Sequence, residues 1–142
     1  QVFSVWCDET QTHPYAFANR EIDTLYAWIN RNPSKMMLVT NSDELMQAVK
    51  QHKLASMIGV EGGHMMEDDL NKLDSLYARG TRYMTLTWNN NTSWATSAKH
   101  ETDTTHPAHL GLNDFGKEVV QHMNKIGMMV DVSHVGERTF GM

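Results

Sequence analysis

The sequence predicts an α/β fold in which parallel strands alternate with helices. Three observations predict it. Short apolar runs alternate with stretches of helical period; residues 54–60 are almost continuously apolar, the mark of a strand covered on both faces; and polar clusters at 61–64, 87–91 and 133–134 follow directly on apolar runs. In right-handed βαβ units the loops after the strands build the site, at the open end of a barrel or at the switch point of an open sheet.

Val2, Phe3, Ser4, Val5 and Trp6 form a short run of β-formers bounded by a polar loop, and read as a buried strand. From 15 to 32, Ala18, Ile22, Leu25, Tyr26 and Ile29 recur at steps of three and four, a helix that Pro33 ends. Residues 36–40 are extended and apolar but short for a sheet strand. Asn41 can cap the next helix, with Glu44 placed as in a capping box and Leu45, Ala48, Val49 and His52 on its inner face. After the strand at 54–60, Asp68 can cap a helix whose Leu70, Leu73, Leu76 and Tyr77 face inward, stopped by a left-handed Gly80. A strand at 83–87 leads into a polar loop, 88–111, without a clear period; loops of that length are usually functional or mobile. Asn113 then caps a helix carrying Phe115, Val119, Val120, Met123 and Ile126, Gly127 stops it, and 128–132 is the last strand.

The chain has 142 residues, enough for one domain with a real core, and its 40% hydrophobic and 20% charged content is that of a globular protein. A net charge of −5 with dispersed basic residues gives no footprint for nucleic acid. No apolar run is long enough to span a bilayer, and the first residues carry no signal-peptide pattern. The lone Cys7 leaves the compartment open. Residue 1 is Gln, 2–6 already reads as a strand, and 136–142 reads as the opening of an uncompleted element, so the expectation is a fragment.

Glu61 is the leading site residue, at the turn Ile58-Gly59-Val60-Glu61-Gly62-Gly63-His64. A carboxylate just past a buried strand must be paired, hydrogen-bonded or metal-bound, and the glycines allow a sharp turn and close approach of a ligand. A salt bridge or helix cap is the structural alternative. His64 reads as a support residue before a ligand. His134, beside Asp131 and Ser133, suits a divalent transition metal, with a nearby acceptor to fix its tautomer, or a structural hydrogen bond. Ser133 and His134 lack the Gly-x-Ser-x-Gly elbow of a hydrolase. His100-Glu101 begins like a zincin motif, but the next histidine, His106, comes two positions late and Pro107 opposes a helix; with Asp103 and His109 these residues read as a solvated loop. Asn91-Thr92-Ser93 is a weak glycosylation signal. The eleven methionines read as core, whereas Trp88 and Trp94, in the loop overhanging the site, are placed to line a substrate pocket.

Taken together, Ile58 to His64, Leu76-Tyr77 with Gly80, Arg82-Tyr83-Met84-Thr85-Leu86-Thr87, Trp94-Ala95, Gly111-Leu112 with Asp114-Phe115-Gly116, and Asn124 with Gly127 to His134 resemble the membrane (renal) dipeptidase family of zinc metallopeptidases, which has many bacterial members. The resemblance covers essentially the whole chain. It implies a (β/α)8 barrel of which this is about half, the second to fifth strands, lacking the first strand with its His-x-Asp ligands and the later strands. It implies two Zn2+ in the complete enzyme, bridged by Glu61, with His134 a ligand of one, and dipeptide hydrolysis by a zinc-bridging hydroxide. Another metal-dependent amidohydrolase, or a non-catalytic barrel fragment, is the alternative. Trp88 stands where mammalian members carry a substrate-binding histidine, and Cys7 matches a disulfide cysteine whose partner position is here Asn90. The fragment is expected to be inactive and to bind few or no metals, and its open barrel edges to favour homo-oligomers or other association.

Overall fold

A computed structural model describes residues 1–103, 105 and 111–142 of the chain; the readings placed on His106, Pro107 and His109 lie outside the described residues. β1 (Val2–Trp6), β3 (Leu54–Glu61), β4 (Thr81–Thr85) and β5 (Met129–Asp131) lie side by side in that order, every pair parallel, and β2 (Met36–Leu38) pairs in parallel with the start of β3. Between them run α1 (Pro14–Arg31), α2 (Ser42–Lys50), α3 (Leu70–Ala78) and α5 (Asp114–Ile126), with a short α4 (Ala98–Glu101) and a terminal α6 (Glu137–Phe140). The α/β class and the parallel alternation are therefore as the sequence predicts.

Side-chain alternation divides the sheet into a packed and an open face. Val5, Val60, Met84 and Val130 form one register row facing the helices, and the first three are buried at 3%, 0% and 0% exposure. They meet Ala18, Ile22 and Leu25 of α1, Leu73 and Leu76 of α3, and Val119 and Met123 of α5 in one core. The other face carries Ser4, Trp6, Glu61, Tyr83 and Asp131.

Several local expectations change. α2 is capped by Asn41, whose side chain accepts from the Glu44 N–H at 2.9 Å, but the Glu44 carboxylate reaches back to the N–H and hydroxyl of Thr40 rather than to Asn41. Only Ala48 of its supposed inner face is buried. Leu45 and Val49 stand 45% and 56% exposed, and His52 lies beyond the helix end with φ 53°. The reason is packing: α2 lies against β2 and β3 with Ala48 as the side chain it buries. Leu45 instead borders a hollow of about 430 Å³ at the amino ends of the strands, with Val2, Met57 and Met129. The cap of α3 is Asp69, not Asp68.

β4 begins and ends two residues before the predicted strand, and it carries a bulge. Ile58 pairs with Thr81 and Gly59 with Tyr83, so Arg82 is an extra residue. Its guanidinium donates to the carbonyls of Thr40, Tyr77 and Thr81 and lies 4.1 Å from the centroid of the Tyr77 ring.

The described part of loop 88–111 is built rather than solvated. Ala95 bridges Leu112 and Ser97 bridges Val135. The Glu101 carboxylate accepts the backbone N–H groups of Glu137 and Arg138 at 2.6 and 2.8 Å, closing the start of α6. Asn91, in the glycosylation triplet, uses its Oδ1 to accept the Ser97 N–H at 2.8 Å.

Candidate metal centre

The site forms because one register row crosses the carboxyl ends of the strands: Trp6, Glu61, Thr85 and Asp131 are consecutive partners on β1, β3, β4 and β5. In-register residues of neighbouring strands point to the same face. Glu61 thus projects from the open face at the end of a strand whose Ile58, Gly59 and Val60 are buried. Its Oε1 accepts from His134 Nε2 at 3.0 Å, and its Oε2 accepts from Ser4 Oγ at 2.9 Å. Both partners of the Glu61–His134 pair keep solvent access, at 29% and 36% side-chain exposure, so a ligand can reach either.

His134 is held in the left-handed region, φ 63°, by its surroundings. Its carbonyl accepts from Thr87 Oγ1 at 3.1 Å and from the Ala98 N–H at 2.8 Å, and the Gly136 N–H two residues on is bound by the Thr96 carbonyl. The loop after β4 therefore aims the imidazole. Asp131 does not set the His134 tautomer; Glu61 does, by accepting from Nε2. Asp131 Oδ1 takes the Ser133 N–H and hydroxyl, and Oδ2 takes the Thr85 hydroxyl. Burial raises the Asp131 pKa, but these bonds outweigh it and hold the carboxyl below its usual range. Ser133, occupied with Asp131, forms no nucleophile–base pair with His134.

His64 lies in a short 3-10 turn, Gly63–Met66, directly after Gly62 with φ 114°. Its Nε2 donates to the carbonyl of Cys7 at 2.9 Å, tying the turn after β3 to the end of β1. Its buried Nδ1 has no partner among the described residues. Burial lowers the His64 pKa, against smaller opposing effects of the Cys7 carbonyl and of Glu9 and Asp8. A depressed pKa means that protonation favours the unfolded chain, so this group's stabilisation is complete above the ordinary value of 6.5 and is lost as pH falls below it. We expect the urea midpoint to drop between about pH 7.5 and about pH 5.5, and the drop to shrink in His64→Gln. An equal drop in the variant would place the effect elsewhere. Cys7 is a free, buried thiol, its pKa pushed up to about 11 by burial and then by Glu21 and Asp8.

The two loop tryptophans have different fates. Trp94 is fully buried: its Nε1 donates to Asp68 Oδ1 at 3.0 Å, and its ring lies where a Cβ on Gly63 would come within 2.5 Å of Cζ2. Trp88 is half-buried and meets the Trp6 ring edge-on, centroids 4.9 Å apart, beside the Glu61 row.

Carboxylate oxygen and imidazole nitrogen are donor types that zinc takes, at distances of about 2.0–2.2 Å. Among the described residues, however, no group of three or more His, Cys, Asp or Glu side chains converges as a metal cage. Glu61 and His134 fit in kind and supply part of a ligand set. Sequence reading missed Ser4, Trp6, Tyr83 and Thr85. Strand parity alone could have placed Ser4 and Trp6 on one face of β1, but only the pairing of β1 with β3 sets them against Glu61.

A parallel α/β sheet with a carboxylate and an imidazole brought together past its strand ends has the architecture of the α/β enzymes that work at the carboxyl edge of the sheet. Within that class the chain belongs to the membrane dipeptidase family (peptidase family M19), whose model matches residues 1–142. It is 37% identical over 134 residues to dipeptidase 3 of Macaca fascicularis, covering 94% of this chain and 27% of that protein. An amidohydrolase from Pseudomonas aeruginosa superposes with a TM-score of 0.82 at 25% identity, over 98% of this chain and 39% of its own. A metallopeptidase from Rhodobacter sphaeroides, solved with a phosphinate mimic of the dipeptide L-Ala-D-Ala, gives 0.77 at 19% identity over 99% and 38%. The chain thus spans well under half of these relatives. No helix among the described residues is long and apolar enough to cross a membrane.

Proposed function

We propose that the gene product carrying this chain is a zinc-dependent dipeptidase, and that these residues form a central part of its barrel with part of its metal centre. The supporting observation is the Glu61 carboxylate, half-buried but solvent-accessible at the end of β3 and held between His134 on one oxygen and Ser4 on the other. A carboxylate with two accessible oxygens can bridge two cations. Glu61 would hold both zinc ions and His134 one of them; the remaining ligands would come from outside the residues that converge here.

Bound zinc supplies Lewis acidity, polarising the scissile carbonyl and making a nucleophile available from water near neutral pH. The chain's own residues orient and enclose. Ser4 restrains Glu61, the loop after β4 fixes His134, and the Trp6–Trp88 pair offers an apolar wall to a dipeptide side chain. The Trp88 role rests on its position next to the Glu61 row.

Open sheet edges at β1 and β5, with the exposed Leu45, Met46, Val49 and Leu54, favour association of the isolated 142 residues with other copies. We expect the isolated chain with added zinc to show negligible dipeptide turnover, and the complete gene product to hydrolyse dipeptides and to carry about two zinc ions per chain by metal analysis. Robust turnover by the isolated chain would refute the first expectation, and a zinc-free, inactive gene product would leave only a non-catalytic scaffold. The likeness to the Pseudomonas amidohydrolase keeps a second reading, a metal-dependent amidohydrolase of another small amide. A dipeptide panel run against simple amides and esters separates the two.

A further inference from the structure

Asp131 is the last residue of β5 and stands in the same register row as Glu61, one strand beyond Thr85. A carboxylate in that row could serve as a ligand, but its oxygens are turned elsewhere. Oδ1 accepts the N–H and the hydroxyl of Ser133 at 3.0 and 2.8 Å, and Oδ2 accepts the hydroxyl of Thr85 at 3.0 Å. The bond to an N–H two residues ahead is an Asx turn, in which a short carboxylate bends its own backbone. Here it acts on the residue just before His134. The Thr85 bond fixes the other oxygen, because Thr85 has no exposure and is set in β4.

His134 needs to be held from both sides. Its φ of 63° lies in the left-handed region, where a non-glycine residue persists only if its surroundings over-determine it. Its carbonyl is bound by Thr87 Oγ1 and by the Ala98 N–H. On the amino side the hold comes through Ser133 from Asp131. So held, the imidazole meets Glu61 Oε1 at 3.0 Å. We propose that Asp131 is a positioning residue for His134: its carboxylate builds the turn that delivers the imidazole to the metal centre, and does not itself take the metal. The inference rests on the reading of His134 as a metal ligand. Asp131, Ser133 and His134 are neighbours in the chain, but only the bond across the sheet to Thr85 turns the carboxylate into the turn and away from Glu61.

The test uses the complete gene product, stripped by a chelator and titrated with zinc alone against a competing indicator, at a temperature where each variant is folded. Thermal midpoints of the metal-free proteins and dipeptide kinetics are measured alongside. Asp131→Ala is expected to raise the zinc dissociation constant about 10-fold, the scale of losing an outer partner of a metal ligand. Asp131→Asn keeps an oxygen for the Ser133 donors and offers its amide to the Thr85 hydroxyl oxygen, so it restores the affinity. An asparagine variant as weak as the alanine variant would mean that the charge itself binds zinc, and overturns the proposal. Parent-like zinc affinity in Asp131→Ala, whatever its midpoint, overturns it too, and loss of zinc in His134→Ala then leaves the ligand reading standing. Parent-like affinity in His134→Ala overturns both. Should Asp131→Ala fail to fold, Thr85→Val decides: it keeps the shape of a buried residue and removes the bond to Oδ2, so weaker zinc is expected and parent-like affinity overturns the proposal.

Discussion

Glu61→Ala in the complete gene product is expected to lower kcat/KM for dipeptide hydrolysis by at least about 10³-fold, roughly 4 kcal/mol of transition-state stabilisation. The cause lies in what the side chain does. Its two oxygens face His134 and Ser4 at 3.0 and 2.9 Å, so truncation removes both oxygens from the centre at once. Stability should change little, because the partners left behind retain solvent: Ser4 is exposed and His134 is 36% exposed, so water can replace the lost acceptor. Zinc content should fall with activity. Glu61→Gln keeps the shape and an acceptor for Ser4 but not the charge, and should sit near the alanine variant in rate. Steady-state kinetics with metal analysis on both variants is the measurement, and near-parent turnover of either would remove Glu61 from the metal centre.

Trp94→Ala is expected to cost about 3–5 kcal/mol of stability, the range for truncating a buried aromatic. Trp94 has no exposure, donates to Asp68 and fills the space left by the absent side chain of Gly63. It joins the loop after β4 to the turn after β3. Its loss therefore loosens the two segments that deliver Glu61 and His134, and activity should fall with stability. Trp94→Phe separates the contributions: the ring still packs, and the missing bond to Asp68 costs about 1–2 kcal/mol. Urea unfolding of both variants checks this, and a loss under about 1 kcal/mol for the alanine variant would mean that the core closes over the gap.

Elements with a local cause were legible in the chain. Asn41 and Asn113 cap their helices by accepting from Glu44 and Gly116, and Gly80 and Gly127 take positive φ where helices stop. Where the cause was not local, the reading slipped. Asp69 displaced Asp68 as a cap because Asp68 is drawn to Ser93 and Trp94, distant in sequence. Leu45 and Val49 carry a helical apolar period, yet the place of α2 on the sheet leaves them exposed. Glu101, in a stretch without any period, proved to be a cap for α6, which no local pattern encodes.

By itself the sequence determined the α/β class and the position of Glu61 and His134 just after apolar strands, because hydrophobic period, glycine stops and strand-end polar clusters are properties of neighbouring residues; the family was legible from the resemblance of its motifs. Only the tertiary structure decided that Glu61 meets His134, that Ser4 and Tyr83 lie beneath it, and that Trp94 serves packing while Trp88 stays half-open beside Trp6. Those facts depend on which strand lies beside which and in what register. Parallel pairing joins residues from 18 to 55 positions apart, and the contacts of Glu61 with Ser4 and His134 span 57 and 73, separations that no local period records.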